Sequence, residues 1–129
     1  MRLLLDTHVW LWYLFNDKRL RRAHRREIED PRNDLLLSSV SIWEAHMLIE
    51  RGRLLVEGRP ADWLRQALRI LPVREAAITF AVAVRSRLLE TQHADPMDRF
   101  IAATAIELDA ALVTCDPQLL ACPGLRFVR

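Results

Sequence analysis

Four acidic residues stand out by where they fall in the chain: Asp6, Glu44, Asp98 and Asp116. Asp6 directly follows a short apolar run, Leu3 to Leu5. Asp116 lies two residues beyond another, Ala111 to Thr114. Glu44 comes three residues after Ser41, in the first turn of an expected helix, and Asp98 sits in the first turn of a helix opened by Asp95-Pro96. Carboxylates gathered in one cleft repel each other and raise one another's pKa. A divalent cation removes that conflict, and oxygen donors without a cysteine or histidine pair suit a hard ion, Mg²⁺ or Mn²⁺. With a substrate phosphate among its ligands, such an ion polarises the phosphate, activates a water and stabilises the leaving oxygen. Together these residue types are equipped for phosphodiester hydrolysis.

Whether the acids meet depends on the elements that carry them. Short continuous apolar runs at Leu3–Leu5, Leu35–Leu37 and Ala111–Thr114 predict strands covered on both faces. Leu71–Val73 is a weaker strand and Arg126–Val128 a candidate fifth. Helices are expected over His8–Phe15, Leu20–Glu29 (ended by Pro31), Ser41–Glu50 (stopped at Gly52), Pro60–Arg69, Glu75–Leu89 and from Asp95-Pro96 to about Leu108. Strands alternating with helices indicate an α/β domain with a mainly parallel sheet of four to five strands. Such sheets bind ligands at the carboxyl ends of their strands. Asp6 and Asp116 follow strands directly. The helices bearing Glu44 and Asp98 begin at that same edge, so topology sends all four acids to one rim.

Each acid also has a simpler explanation. Asp6 can cap the first helix through Thr7 and His8. Glu44 stands at capping-box spacing from Ser41. Asp95, with proline after it and an acid at the third position, reads as an N-cap. Asp116-Pro117 can begin a turn. Capping explains Asp98 less well, because its helical face continues through the small residues Ala102 and Ala105, and a carboxylate on a buried face is costly unless paired or bound to metal.

The rest of the composition sets bounds. A chain of 129 residues and 15.0 kDa, 51% hydrophobic and 28% charged, is the size of one globular domain spanning 1–129 and excludes a disordered chain. No apolar stretch reaches membrane-spanning length. Asp6 and His8 interrupt what would be a signal-peptide core, so the sequence reads as cytoplasmic. Cys115 and Cys122 are not at metal-motif spacing. Nor are His8, His46 and His93. Lys18 is the only lysine, which leaves 18 arginines among the 19 basic residues. Arg19, Arg21, Arg22, Arg25 and Arg26 form a basic run that is either a solvated helix or a track for RNA phosphates. Arg99 can orient a carboxylate or meet a phosphate. Trp10, Trp12, Tyr13 and Phe15 crowd one short helix, more apolar surface than one buried face needs, which suggests a groove or a dimer face.

The opening LLLDTHVWLW, the segment SSVSIWEAHMLIERGRL and the run DPMDRFIAATAIELDAALVTCD resemble a PIN-domain nuclease. The closer likeness is to VapC-type toxins of toxin–antitoxin systems whose first strand ends in Asp-Thr-His, and it covers essentially the whole chain. The resemblance implies a three-layer α/β/α sandwich and a Mg²⁺-dependent ribonuclease site. Asp6 and Asp98 would then be direct metal ligands, with Glu44 and Asp116 acting directly or through water. Thr7 and Thr114 would place hydroxyls near metal or phosphate, and Asp95 would support. It further implies an RNA substrate, a homodimer and a small antitoxin, here expected to be of the Phd type. The competing expectations are a housekeeping RNA-processing nuclease, an acid-cluster phosphatase and a non-catalytic binding module. No Asp-x-Asp follows the first strand, which counts against the phosphatase.

Overall fold

A computed structural model describes residues 1–91 and 95–129, and His93 lies outside the described residues. In chain order the described elements are β1 (Arg2–Leu5), α1 (Thr7–Leu14), α2 (Arg22–Glu29), β2 (Asp34–Ser38), α3 (Ser39–Glu50), α4 (Pro60–Ile70), β3 (Arg74–Ala76), α5 (Phe80–Leu88), α6 (Pro96–Glu107), β4 (Ala111–Val113) and α7 (Pro117–Leu120). The strands form one sheet in the order β3-β2-β1-β4, and every pairing is parallel. Among the described residues no helix is long and apolar enough to cross a membrane.

The two central strands are leucine runs because both their faces are covered. Side chains alternate across a strand. Leu3, Leu5, Leu35 and Leu37 therefore enter one core, closed by Trp10 of α1, Ile28 of α2, Ala45 of α3 and Leu64 of α4. Leu4, Leu36 and Leu112 enter the other, closed by Ile101, Ala102 and Ala105 of α6 and by Leu119 of α7. Each buried leucine contributes roughly 1.5–3 kcal/mol, and the three layers follow from that double covering. The alanines of α6 let it lie close on the sheet, and α5 packs outside it through the buried Val82 and an Arg85–Glu107 ion pair.

Three expectations shift. Pairing of the third strand begins at Arg74, not Leu71, with Arg74 opposite Leu36. Leu71 is the C-cap of α4 and is buried in the first core, and Pro72 has no N–H to give a ladder. Glu75 and Ala76, expected to open a long helix, are strand residues. The helix waits for Thr79, whose hydroxyl accepts the Val82 N–H. The candidate fifth strand reduces to one parallel bridge between Leu112 and Phe127. The stop at Gly52 is as expected: its φ of +70° is a left-handed conformation that glycine adopts without strain.

The strand order fixes where a cleft opens. From β1 the chain moves to β2 and β3 on one side, then crosses to β4 on the other. Between the carboxyl ends of β1 and β4 the connections diverge, and a crevice forms there in sheets of this kind.

Candidate metal centre

Asp6 sits at that crevice because β1 runs into α1 with a single residue between them. As N-cap of α1 it accepts the Thr7 N–H on Oδ1 at 2.8 Å. Its Oδ2 accepts the Thr114 hydroxyl at 2.7 Å, just beyond β4. The same Thr114 oxygen accepts the Asp116 N–H at 3.0 Å. Asp116 in turn caps α7, taking the Gln118 N–H at 2.9 Å. One hydrogen-bonded chain thus joins the ends of β1 and β4. Asp6 is only 6% exposed. Burial pushes its carboxyl above the ordinary value and the Asp116 charge adds to the rise, while the Thr114 hydroxyl, His8 and the Thr7 N–H oppose it.

The other acids arrive on helix starts. Asp95 caps α6, its Oδ1 taking the Met97 N–H at 2.9 Å, which sets Asp98 in the first turn. Ser38 ends β2 and is itself the N-cap of α3, its Oγ accepting the Val40 N–H at 3.2 Å. The start expected at Ser41 is therefore too late, and Glu44 lies in the second turn, outside any capping box. Asp6, Glu44, Asp95, Asp98 and Asp116 line one cleft of about 300 Å³, with His8, Val9, Trp12 and Cys115. Among the described residues no three carboxylate, histidine or cysteine side chains are grouped closely enough to enclose an ion directly. The donor set still fits a hard cation that keeps part of its water shell, as Mg²⁺ does.

Two residues expected at the site work beside it. Thr7 is fully buried and does not line the cleft. Its hydroxyl lies 2.8 Å from that of the equally buried Ser41, so it joins α1 to α3 and holds the helix that carries Glu44. The Arg99 guanidinium donates to the backbone oxygens of Ser86 at 2.9 Å and Thr91 at 3.3 Å. It ties α6 to the end of α5 and is absent from the cleft lining. Sequence reasoning missed Ser41 as a tether and Cys115 and His8 as lining. Of these only Ser41 carries a sequence signal, and its spacing from Glu44 points to a cap.

A second groove of about 500 Å³ adjoins the first and shares His8 and Trp12 with it. Leu11, Phe15, Leu48 and Leu54 contribute its apolar lining, and Arg19 lies over the Trp12 ring at 5.1 Å. The crowded first helix thus divides its aromatics. Trp10 is wholly buried, while Trp12 and Phe15 line the groove.

Known proteins share these features. Residues 3–124 match the PIN domain. Ribonuclease VapC22 of Mycobacterium tuberculosis (strain ATCC 25618 / H37Rv) is 36% identical over 117 residues, which is 90% of this chain and 88% of that protein. Among solved structures, VapBC2 from Rickettsia felis bound to a promoter DNA fragment is similar with a TM-score of 0.73 and 17% identity, covering 98% of this chain and 97% of that one. DNA-bound VapBC from Salmonella typhimurium gives 0.68 and 16%, over 98% and 96% of the two chains. FitAcB from Neisseria gonorrhoeae gives 0.65 and 20%, again over 98% and 96%. At these identities the solved structures speak for the fold, and the family assignment rests on the domain match and the ribonuclease relative: the chain belongs to the PIN-domain family.

Proposed function

We propose that the chain is a Mg²⁺-dependent endoribonuclease and the toxin of a toxin–antitoxin pair. The observation that carries this reading is the cleft at the end of β1 and β4, where acids from separate segments meet around a buried Asp6. Asp6 and Asp98 would hold the cation directly, and Glu44 and Asp116 directly or through water. Mn²⁺ has the same donor preference. When bound, the cation supplies an activated water and charge stabilisation for the attacked phosphate and the leaving oxygen. Thr114 keeps Asp6 in place, Asp95 sets the first turn that presents Asp98, and Thr7 and Arg99 hold the helices on either side. The ribonuclease relative supports RNA as the substrate.

The test is incubation of the purified chain with mixed cellular RNA in Mg²⁺ or in EDTA. Cleavage in Mg²⁺ that EDTA and Asp98→Asn both remove supports the reading. Cleavage that persists in EDTA, or in Asp98→Asn, overturns it.

The VapBC complexes among the fold neighbours support an antitoxin partner. The aromatic groove suits an amphipathic segment, and because it shares His8 and Trp12 with the acidic cleft, a bound segment reaches the carboxylates. We keep the Phd type as the expected antitoxin. A homodimer is the second part of the assembly reading. Phe80, Val84 and Leu88 are 94%, 61% and 72% exposed and lie four residues apart along one face of α5. A two-fold interface uses the same patch on both subunits, and this apolar stripe is the patch proposed for it.

A further inference from the structure

The arginine run divides sharply in the fold. Arg19 is paired with Asp17 at 2.8 Å, and Arg25 with Asn16 and the Tyr13 ring. Arg21, Arg22 and Arg26 are exposed, and their side chains make no hydrogen bond or ion pair among the described residues. Arg22 and Arg26, one turn apart, share a face of α2, and Arg21 is its N-cap residue. Lys18 is exposed just before them.

The helix that bears this ridge touches the wall of the acidic cleft. His24, in the first turn of α2, is fully buried, and its Nδ1 lies 3.8 Å from Sγ of Cys115. Cys115 lines the cleft beside Asp116. The first turn of α2 is therefore seated on the segment between β4 and α7. Arg21, the N-cap residue directly before that turn, flanks the contact. Helix stability does not call for this arrangement. α2 has no side-chain cap and no acid in its first turn, so Arg21 and Arg22 stand at the positive end of the helix dipole, the unfavourable end for them, while Arg26 lies in the last turn.

We propose that Arg21, Arg22 and Arg26 carry the ribose-phosphate backbone of a single-stranded RNA leaving the acidic cleft. The proposal rests on the ribonuclease reading of that cleft. The carboxylates repel every phosphate except the one at the cation, so affinity for a long strand has to come from outside. Phosphate contacts need only cations and carry no sequence information. The ridge fits that demand better than a protein partner, because no exposed apolar side chain interleaves with its arginines as an anchor.

The test compares wild type with an Arg22→Glu/Arg26→Glu variant on a single-stranded 20-mer and on a tetranucleotide, in Mg²⁺ over a range of salt. Arg69→Glu, exposed on α4, serves as the charge control. The expected result is a KM for the 20-mer raised about tenfold or more with kcat unchanged, and no change on the tetranucleotide. The slope of log affinity against log salt should fall by about 1.4, at roughly 0.7 per single-strand phosphate contact. Fluorescence anisotropy of a labelled 20-mer in EDTA reads the same ridge without cleavage. Wild type that binds through the ridge but cuts nothing would overturn the ribonuclease reading alone. Wild type that cuts RNA, with KM, anisotropy and salt slope unmoved in the variant, overturns the ridge alone. Loss of antitoxin inhibition with the KM for RNA unchanged reassigns the ridge to a protein partner.

Discussion

Asp6 is buried, hydrogen-bonded at both oxygens and still held above its ordinary pKa. Its folded pKa exceeds the unfolded value of 3.8. The metal-free native state therefore keeps the Asp6 proton to higher pH than the unfolded chain does. It loses stability as pH rises through that window and regains it below. Asp6→Asn removes the charge while leaving an oxygen to accept the Thr7 N–H. In EDTA this variant should melt above wild type at pH 7, with the gap closing toward pH 4, and it should not cleave RNA. A lower melting temperature at every pH would show that hydrogen bonding at this position outweighs the cost of the charge. Glu44 gives a contrasting case. Because Ser38 caps α3, Glu44→Gln should change stability by no more than about 0.5 kcal/mol, as surface substitutions do. Cleavage should fall at least tenfold, and wild-type turnover would remove Glu44 from the site.

Among the elements, α3 and α6 present acids, and different contacts hold each of them. Ser38→Ala should cost about 1 kcal/mol by denaturant titration, the usual loss for an N-cap. Ser41→Ala should cost more, about 1–3 kcal/mol, because it strands the buried Thr7 hydroxyl. If Ser41→Ala proves neutral while Ser38→Ala does not, the tether between α1 and α3 has no energetic weight. For α6 the corresponding contact is Arg99, whose hydrogen bonds to the end of α5 are charge-assisted. Arg99→Ala should lose about 1.5–3 kcal/mol, in line with hydrogen bonds made by charged groups. Metal affinity should weaken with it, since Asp98 precedes Arg99 on the same turn.

For the molecule as a whole, the proposed self-association face and the acidic cleft lie on different elements. The stripe of Phe80, Val84 and Leu88 lies on α5 and lines none of the cleft. Val84→Glu should therefore convert a dimer to a monomer in sedimentation, without loss of the folded state by circular dichroism. A wild-type chain that sediments as a monomer at micromolar concentration would remove the stripe as a self-association face. The aromatic groove beside the cleft makes the opposite coupling. Since Trp12 lines both cavities, a segment bound in the groove should slow RNA cleavage, and co-expression with an adjacent antitoxin should suppress it.

Taken alone, the amino-acid sequence determined the class of fold and the rim to which its acids go. Apolar runs at Leu3–Leu5 and Leu35–Leu37 are strands because only burial on both faces tolerates such runs, and strand ends are local facts that put Asp6 and Asp116 at the carboxyl edge. Gly52 and Asp95-Pro96 marked helix boundaries for the same local reason. Tertiary pairing decided what local signals left ambiguous. Arg74 to Ala76 became a strand because β2 offered an open edge there, although the sequence from Glu75 onward reads as helix. Ser38 displaced Ser41 as the cap because β2 runs into α3 without a loop. The Thr7–Ser41 and His24–Cys115 contacts join residues 34 and 91 positions apart. Side chains that distant meet only after the sheet has brought their elements together, so periodicity and spacing carry no trace of them.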